Sequence, residues 1–153
     1  MIRADWVIPS KLTALTHRWS LRRALALPPR GGIRNDGLTV KRAYNRLEIE
    51  WNARTIHPWD QDEASEIKAR KFFEQLLADT EVAIERIFNA LPQIDQLDIT
   101  VRDPDSDQVL VSGTVDRASF SPVRSESARM RLMARGMKCD LDAGYFAHLA
   151  AKP

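Results

Sequence analysis

Four residues suited to metal binding or acid–base catalysis fall within one stretch, RLEIEWNARTIHPWD (Arg46–Asp60): Glu48, Glu50, His57 and Asp60. Two carboxylates two positions apart on a strand share a face. Together with an imidazole and a third acid they could hold a divalent cation and activate water. The spacing argues for a plainer reading. A metal-dependent nuclease site needs acids and a lysine on neighbouring strands, and the segment expected beside this one offers Asp98, Thr100 and Arg102. His57 has no second histidine at ligand spacing, because His17 and His148 are distant in sequence. Asp60 stands three residues before Glu63, the spacing of a capping box at a helix start. The expectation is therefore no metal, no cofactor and no catalytic residue, but a charged strand face, a proline stop and a helix start.

The other familiar chemistries leave no trace. The chain has no G-x-S-x-G elbow, no G-x-x-x-x-G-K-[ST] loop, no G-x-G-x-x-G and no H-E-x-x-H. Gly31-Gly32 between Arg30 and Arg34 reads as a flexible loop rather than a phosphate cradle. Cys139 and His148 suggest no dyad, since nothing indicates a third, orienting group. A single cysteine makes no internal disulfide. The opening MIRADWVIPSKL lacks a secretory core, and no run approaches the ~18–20 apolar residues of a membrane span. These features point to a cytoplasmic chain with no membrane partner, and the Arg- and Ala-rich usage suggests a bacterial source.

The elements that would position these residues are readable from periodicity. Leu47, Ile49, Trp51 and Ala53 alternate with Arg46, Glu48, Glu50, Asn52 and Arg54, a half-buried strand that Pro58 stops. Ala69, Phe72, Phe73, Leu76, Thr80, Ala83, Ile84, Ile87 and Leu91 keep helical spacing over Gln61–Leu91. In LDITVRDPDSDQVLVSGTVDR, two alternating runs flank turn chemistry, so residues 97–117 form a hairpin. Its segment Ile99–Val115 resembles the central hairpin of bacterial BON domains, and no function is carried over from that resemblance. Ser125 can cap a helix over Glu126–Arg135 with Gly136 as its stop, and MKCDL can form a last strand before the apolar YFAHLAA. At the other end, Ser10 can cap a basic helix over Lys11–Leu27, followed by the loop PPRGGIRNDG.

The order β-α-β-β-α-(β) predicts an α+β, ferredoxin-like sandwich: an antiparallel sheet with a long helix on one face and an extra N-terminal basic helix. With 153 residues, 44% of them hydrophobic and 29% charged, the chain can bury one core. Residues 1–37 read as a helix-and-loop extension and 38–153 as a single domain.

The net charge of +2 conceals two opposed halves. Residues 1–57 hold eleven Lys/Arg against four Asp/Glu, a net +7, whereas residues 58–100 hold four against ten, a net −6. Two basic surfaces follow. Arg18, Arg22 and Arg23 lie on the first helix, with Trp19 as an aromatic protein-docking anchor. Arg131, Arg135 and Lys138 fall at i, i+4 and i+7 on the last. The function expected is a non-catalytic binding or assembly role in which these bases engage nucleic acid or an acidic protein. Two alternatives are an oligomerising scaffold without nucleic acid, formed from copies of this chain, and an enzyme using the polar sheet face around Glu48 and Glu50.

Overall fold

The computed structural model describes residues 39–120 and 127–140. The expected N-terminal helix with Arg18, Trp19, Arg22 and Arg23, the Ser125 cap and the YFAHLAA segment lie outside those residues. Five strands form one sheet in the order β1-β2-β3-β4-β5. β1 (Thr39–Ala43) and β2 (Arg46–Asn52) pair antiparallel across the two-residue loop Tyr44–Asn45. The chain then crosses through α1 (Ser65–Ala90) to β3 (Gln96–Arg102), which pairs in parallel with β2. β3 and β4 (Val109–Asp116) form the expected antiparallel hairpin. Finally α2 (Ala128–Ala134) leads into β5 (Lys138–Cys139), antiparallel to β4.

The protein is thus α+β, with a mixed sheet and two helices among the described residues. It departs from the antiparallel, ferredoxin-like expectation at the central pair. A helical crossover returns the chain in the direction it left, and here the two strands it joins lie side by side, whereas a split βαβ unit has another strand between them. β1 is a strand that the alternation did not announce, because it lies at the sheet edge with only Val40 partly covered.

One face of the sheet carries Leu47, Ile49, Trp51, Leu97, Ile99, Val101, Val111 and Val115, all buried with Phe72, Phe73, Leu76, Leu77, Ile84, Ile87 and Phe88 of α1. Period-2 and period-3.6 patterns meet there in one core, as the sequence requires. At the open end of the hairpin Val101 faces Val111 but Arg102 faces Val109, so Leu110 is an extra, bulged residue. The bulge lets Leu110 and Val111 both be buried, which strict alternation forbids.

The helix ends differ from the capping-box expectation. The N-cap of α1 is Ala64, whose methyl offers the helix amides no acceptor. Asp60, in a 3-10 turn over Pro58–Asp60, and Glu63 instead both accept from Lys71 Nζ at 2.7 Å. At the other end Arg117 binds three carbonyls: Phe88 at 3.0 Å, Leu91 at 2.7 Å and Ile94 at 2.8 Å. A guanidinium fork thereby gathers the Phe88 carbonyl in the last turn of α1 and two carbonyls of the segment that follows it.

Glycine fixes the second helix. Gly136 ends α2 at φ +87°, as expected of a C-terminal stop. A Cβ at Gly113 would lie 2.8 Å from the Gly136 carbonyl oxygen and 2.9 Å from the Met137 Cα, so β4 and the α2–β5 turn touch only because Gly113 has no side chain.

Candidate interaction surfaces

The opposite face of the sheet has no described helix over it and is polar in consecutive rows. Register aligns Lys41, Glu48, Asp98 and Thr114 in one row, and Thr39, Glu50, Thr100, Ser112 and Lys138 in the next. Neighbouring strands settle the charges locally. Lys41 Nζ meets Glu48 at 3.4 Å, with both ends exposed. Arg102 holds Glu50 through Nε at 2.8 Å and also donates to the Asp107 carbonyl at 3.0 Å. Arg46 donates to Asp98, whose second oxygen accepts from the Thr114 hydroxyl. Burial works to raise the Asp98 carboxyl, but these two donors and the Arg46 charge outweigh it and hold it below its ordinary range.

The opening cluster is therefore dispersed. Glu48 and Glu50 share a face as expected, but each has its own cation. Asp60 belongs to Lys71. His57 is exposed and stacks loosely on Trp59, with ring centroids 6.1 Å apart and planes at 8°. Among the described residues no group of three or more His, Cys, Asp or Glu is placed to hold a metal ion.

The second basic trio also separates. Arg131 forms a two-pronged pair with Glu81 of α1, at 2.8 Å on each prong. Arg135 reaches the same carboxylate at 3.4 Å, with its side chain only 8% exposed. Its guanidinium lies 4.5 Å from the Phe120 ring centroid. Phe120 packs on Phe88 at 5.5 Å, and Arg117 covers Phe88 at 4.6 Å. Two rings thus lie between two guanidiniums, in the order Arg135, Phe120, Phe88, Arg117, and tie the end of α2 to α1. Only Lys138 of the trio is an exposed side chain, on β5. The i, i+4, i+7 spacing put the three on one side of an element, but that side faces a helical neighbour at Arg131 and Arg135.

Exposed large apolar side chains stand out elsewhere. Met130 and Met133 on α2 are 63% and 52% exposed, and Tyr44 and Trp59 are 86% and 85% exposed. Tyr44 sits within KRAYNR (Lys41–Arg46), where three bases flank an aromatic. That interleaving is legible in sequence, yet it gains meaning only once the segment is a hairpin tip. Burial raises the Cys139 thiol, with the Arg129 charge acting the other way, so this cysteine is poorly suited to act as a thiolate. No described helix is long and apolar enough to cross a membrane.

Compared with protein-family models, with curated proteins and with solved structures, the chain finds no match in any of the three.

Proposed function

We propose that the protein is a non-catalytic binding or assembly module that takes an anionic partner, nucleic acid or an acidic protein surface, at its basic N-terminal end. One observation carries this reading. Within the described domain Arg46, Arg54, Lys71, Arg102, Arg117, Arg131 and Arg135 each hold a carboxylate or a carbonyl of the same domain. The described residues hold fourteen Lys/Arg against seventeen Asp/Glu, whereas residues 1–38 hold seven against two. The basic surplus thus belongs to the segment containing Arg18, Arg22 and Arg23, and Trp19 gives it an aromatic anchor. Arg131 and Arg135 act as a clamp, leaving Lys138 as the contact from the second trio. The reducing cytoplasm suits a chain with one cysteine.

The opposite signs of the segment and the domain favour a second reading, a homo-oligomeric scaffold in which one copy's segment meets another copy's acidic surface. An enzyme built on Glu48 and Glu50 draws no support from side chains already engaged by Lys41 and Arg102.

The test is a titration of the whole chain with fluorescent duplex, single-stranded DNA and RNA at two salt concentrations, beside an Arg18→Ala, Arg22→Ala, Arg23→Ala triple variant. About five phosphate contacts give a log–log salt slope near −4 to −5 on duplex DNA. The triple variant should flatten that slope. An acidic protein partner would give a shallower dependence, and Trp19→Ala would then hurt as much as the charge changes. Wild-type self-association that dissolves at high salt, with no binding of nucleic acid or polyglutamate, would favour the scaffold.

A further inference from the structure

The β1–β2 hairpin places three cations and one ring where nothing in the core requires them. Lys41, Arg42 and Arg46 flank the tip; Lys41 pairs with Glu48, Arg46 with Asp98, and Arg42 donates to the Tyr44 carbonyl. Tyr44, at the tip, is 86% exposed and adopts φ +54°. Left-handed backbone at the first loop residue of a two-residue hairpin ordinarily belongs to Gly, Asn or Asp, and a bulky side chain there is strained.

The tip is nevertheless fixed. Arg42 Nε donates to the Tyr44 carbonyl at 3.1 Å. Asn45 Nδ2 donates to Asp95 at 2.8 Å, and the Asn45 carbonyl accepts from the amides of Asp95 at 2.7 Å and Gln96 at 3.2 Å. A large ring is therefore held in solvent, on an anchored turn, at a steric cost that asparagine would avoid. Strain kept at a surface site that adds nothing to the core is a mark of function.

We infer that this hairpin is a contact site for single-stranded nucleic acid, with the Tyr44 ring stacked on a base and Lys41 and Arg42 set along the phosphates. The inference rests on the anionic-partner reading above and narrows it to one class. A stacking ring needs an open base face, which a duplex covers and an acidic peptide lacks. The Lys41–Glu48 pair is exposed at both ends, and such a pair is held weakly enough to yield to phosphate.

The experiment titrates the full-length protein with a short fluorescent oligo-deoxythymidine, a duplex of equal length and polyglutamate, and melts each variant in parallel. Wild type binds the single strand more tightly than the duplex. Tyr44→Asn weakens single-strand binding roughly 5- to 150-fold, the loss of one stacked base. The same change raises Tm by roughly 2–4 °C, because it relieves the backbone. Tyr44→Phe keeps both binding and Tm, and Lys41→Ala reduces the salt slope by about one phosphate contact. Unchanged single-strand affinity in Tyr44→Asn overturns the inference, and so does equal affinity for duplex. Binding of polyglutamate alone overturns it while leaving the anionic-partner reading intact. Binding of none of the three overturns both.

Discussion

Arg131 and Glu81, fifty residues apart in sequence, join α2 to α1 through two parallel hydrogen bonds of 2.8 Å. The same carboxylate accepts from Arg135, so one acid serves two guanidiniums. Removing it leaves the largely covered Arg135 without its anion. Glu81→Ala should lower stability by about 1–3 kcal/mol, discounted from a fully buried pair because Arg131 is partly exposed. Denaturant melts will measure this. A loss below about 0.5 kcal/mol would mean that the clamp is held by the arginine–phenylalanine stack alone.

Ile49 is fully buried on β2 between the sheet and α1. Ile49→Asp should abolish folding, because an unpaired buried charge costs several kcal/mol. A soluble Ile49→Asp protein that melts cooperatively would contradict the packing of α1 on this face.

Gly113→Ala tests the approach of β4 to the α2–β5 turn. Its methyl carbon would lie 2.8 Å from the Gly136 carbonyl oxygen, and that backbone atom cannot swing aside as a side chain would. A loss of about 1–3 kcal/mol is expected in thermal or urea unfolding. A neutral Gly113→Ala would show that the turn moves freely.

Asp98 gives the open sheet face a pH signature. Its carboxyl is held below the ordinary value of 3.8, so its pairing contributes stability above that value and loses it as the pH falls through the folded-state value. Asp79 acts with the opposite sign. Burial raises its carboxyl despite the Arg54 fork, so its contribution is greatest in acid and fades as the pH rises through its raised value. Urea melts over the acid range should show Asp98→Asn losing less stability on acidification than wild type, and Asp79→Asn losing more. Parallel curves for all three proteins would refute both assignments.

Glu48 and Glu50 give a metal test. Titration calorimetry of the wild type with magnesium, manganese and zinc should show no stoichiometric binding at Glu48 and Glu50, whose charges Lys41 and Arg102 already balance. A micromolar signal that disappears in Glu48→Gln, Glu50→Gln would restore the metal reading and raise the enzyme alternative above the binding one.

Sequence by itself determined the parts whose signal lies in consecutive residues. Leu47, Ile49 and Trp51 alternate with Glu48 and Glu50 because a strand presents successive side chains to opposite faces. Phe72, Phe73, Leu76, Ile84 and Ile87 recur at helical spacing because one side of α1 must be covered. The turn over Asp103–Gln108 and the Gly136 stop are equally local. Tertiary structure alone decided the rest. The parallel pairing of β2 with β3 depends on where a 26-residue helix returns the chain, which no window of residues records. β1 lies at an edge with little to bury, so it needs no apolar alternation and shows none. The fate of the bases was the least legible. Arg102 meets Glu50 and Arg131 meets Glu81 across half a hundred residues, and the sequence shows only that charges are present. An ion pair is set by distance in space, whereas periodicity is set by distance along the chain. The basic helix face was therefore visible as a pattern, but its use as an internal clamp was not.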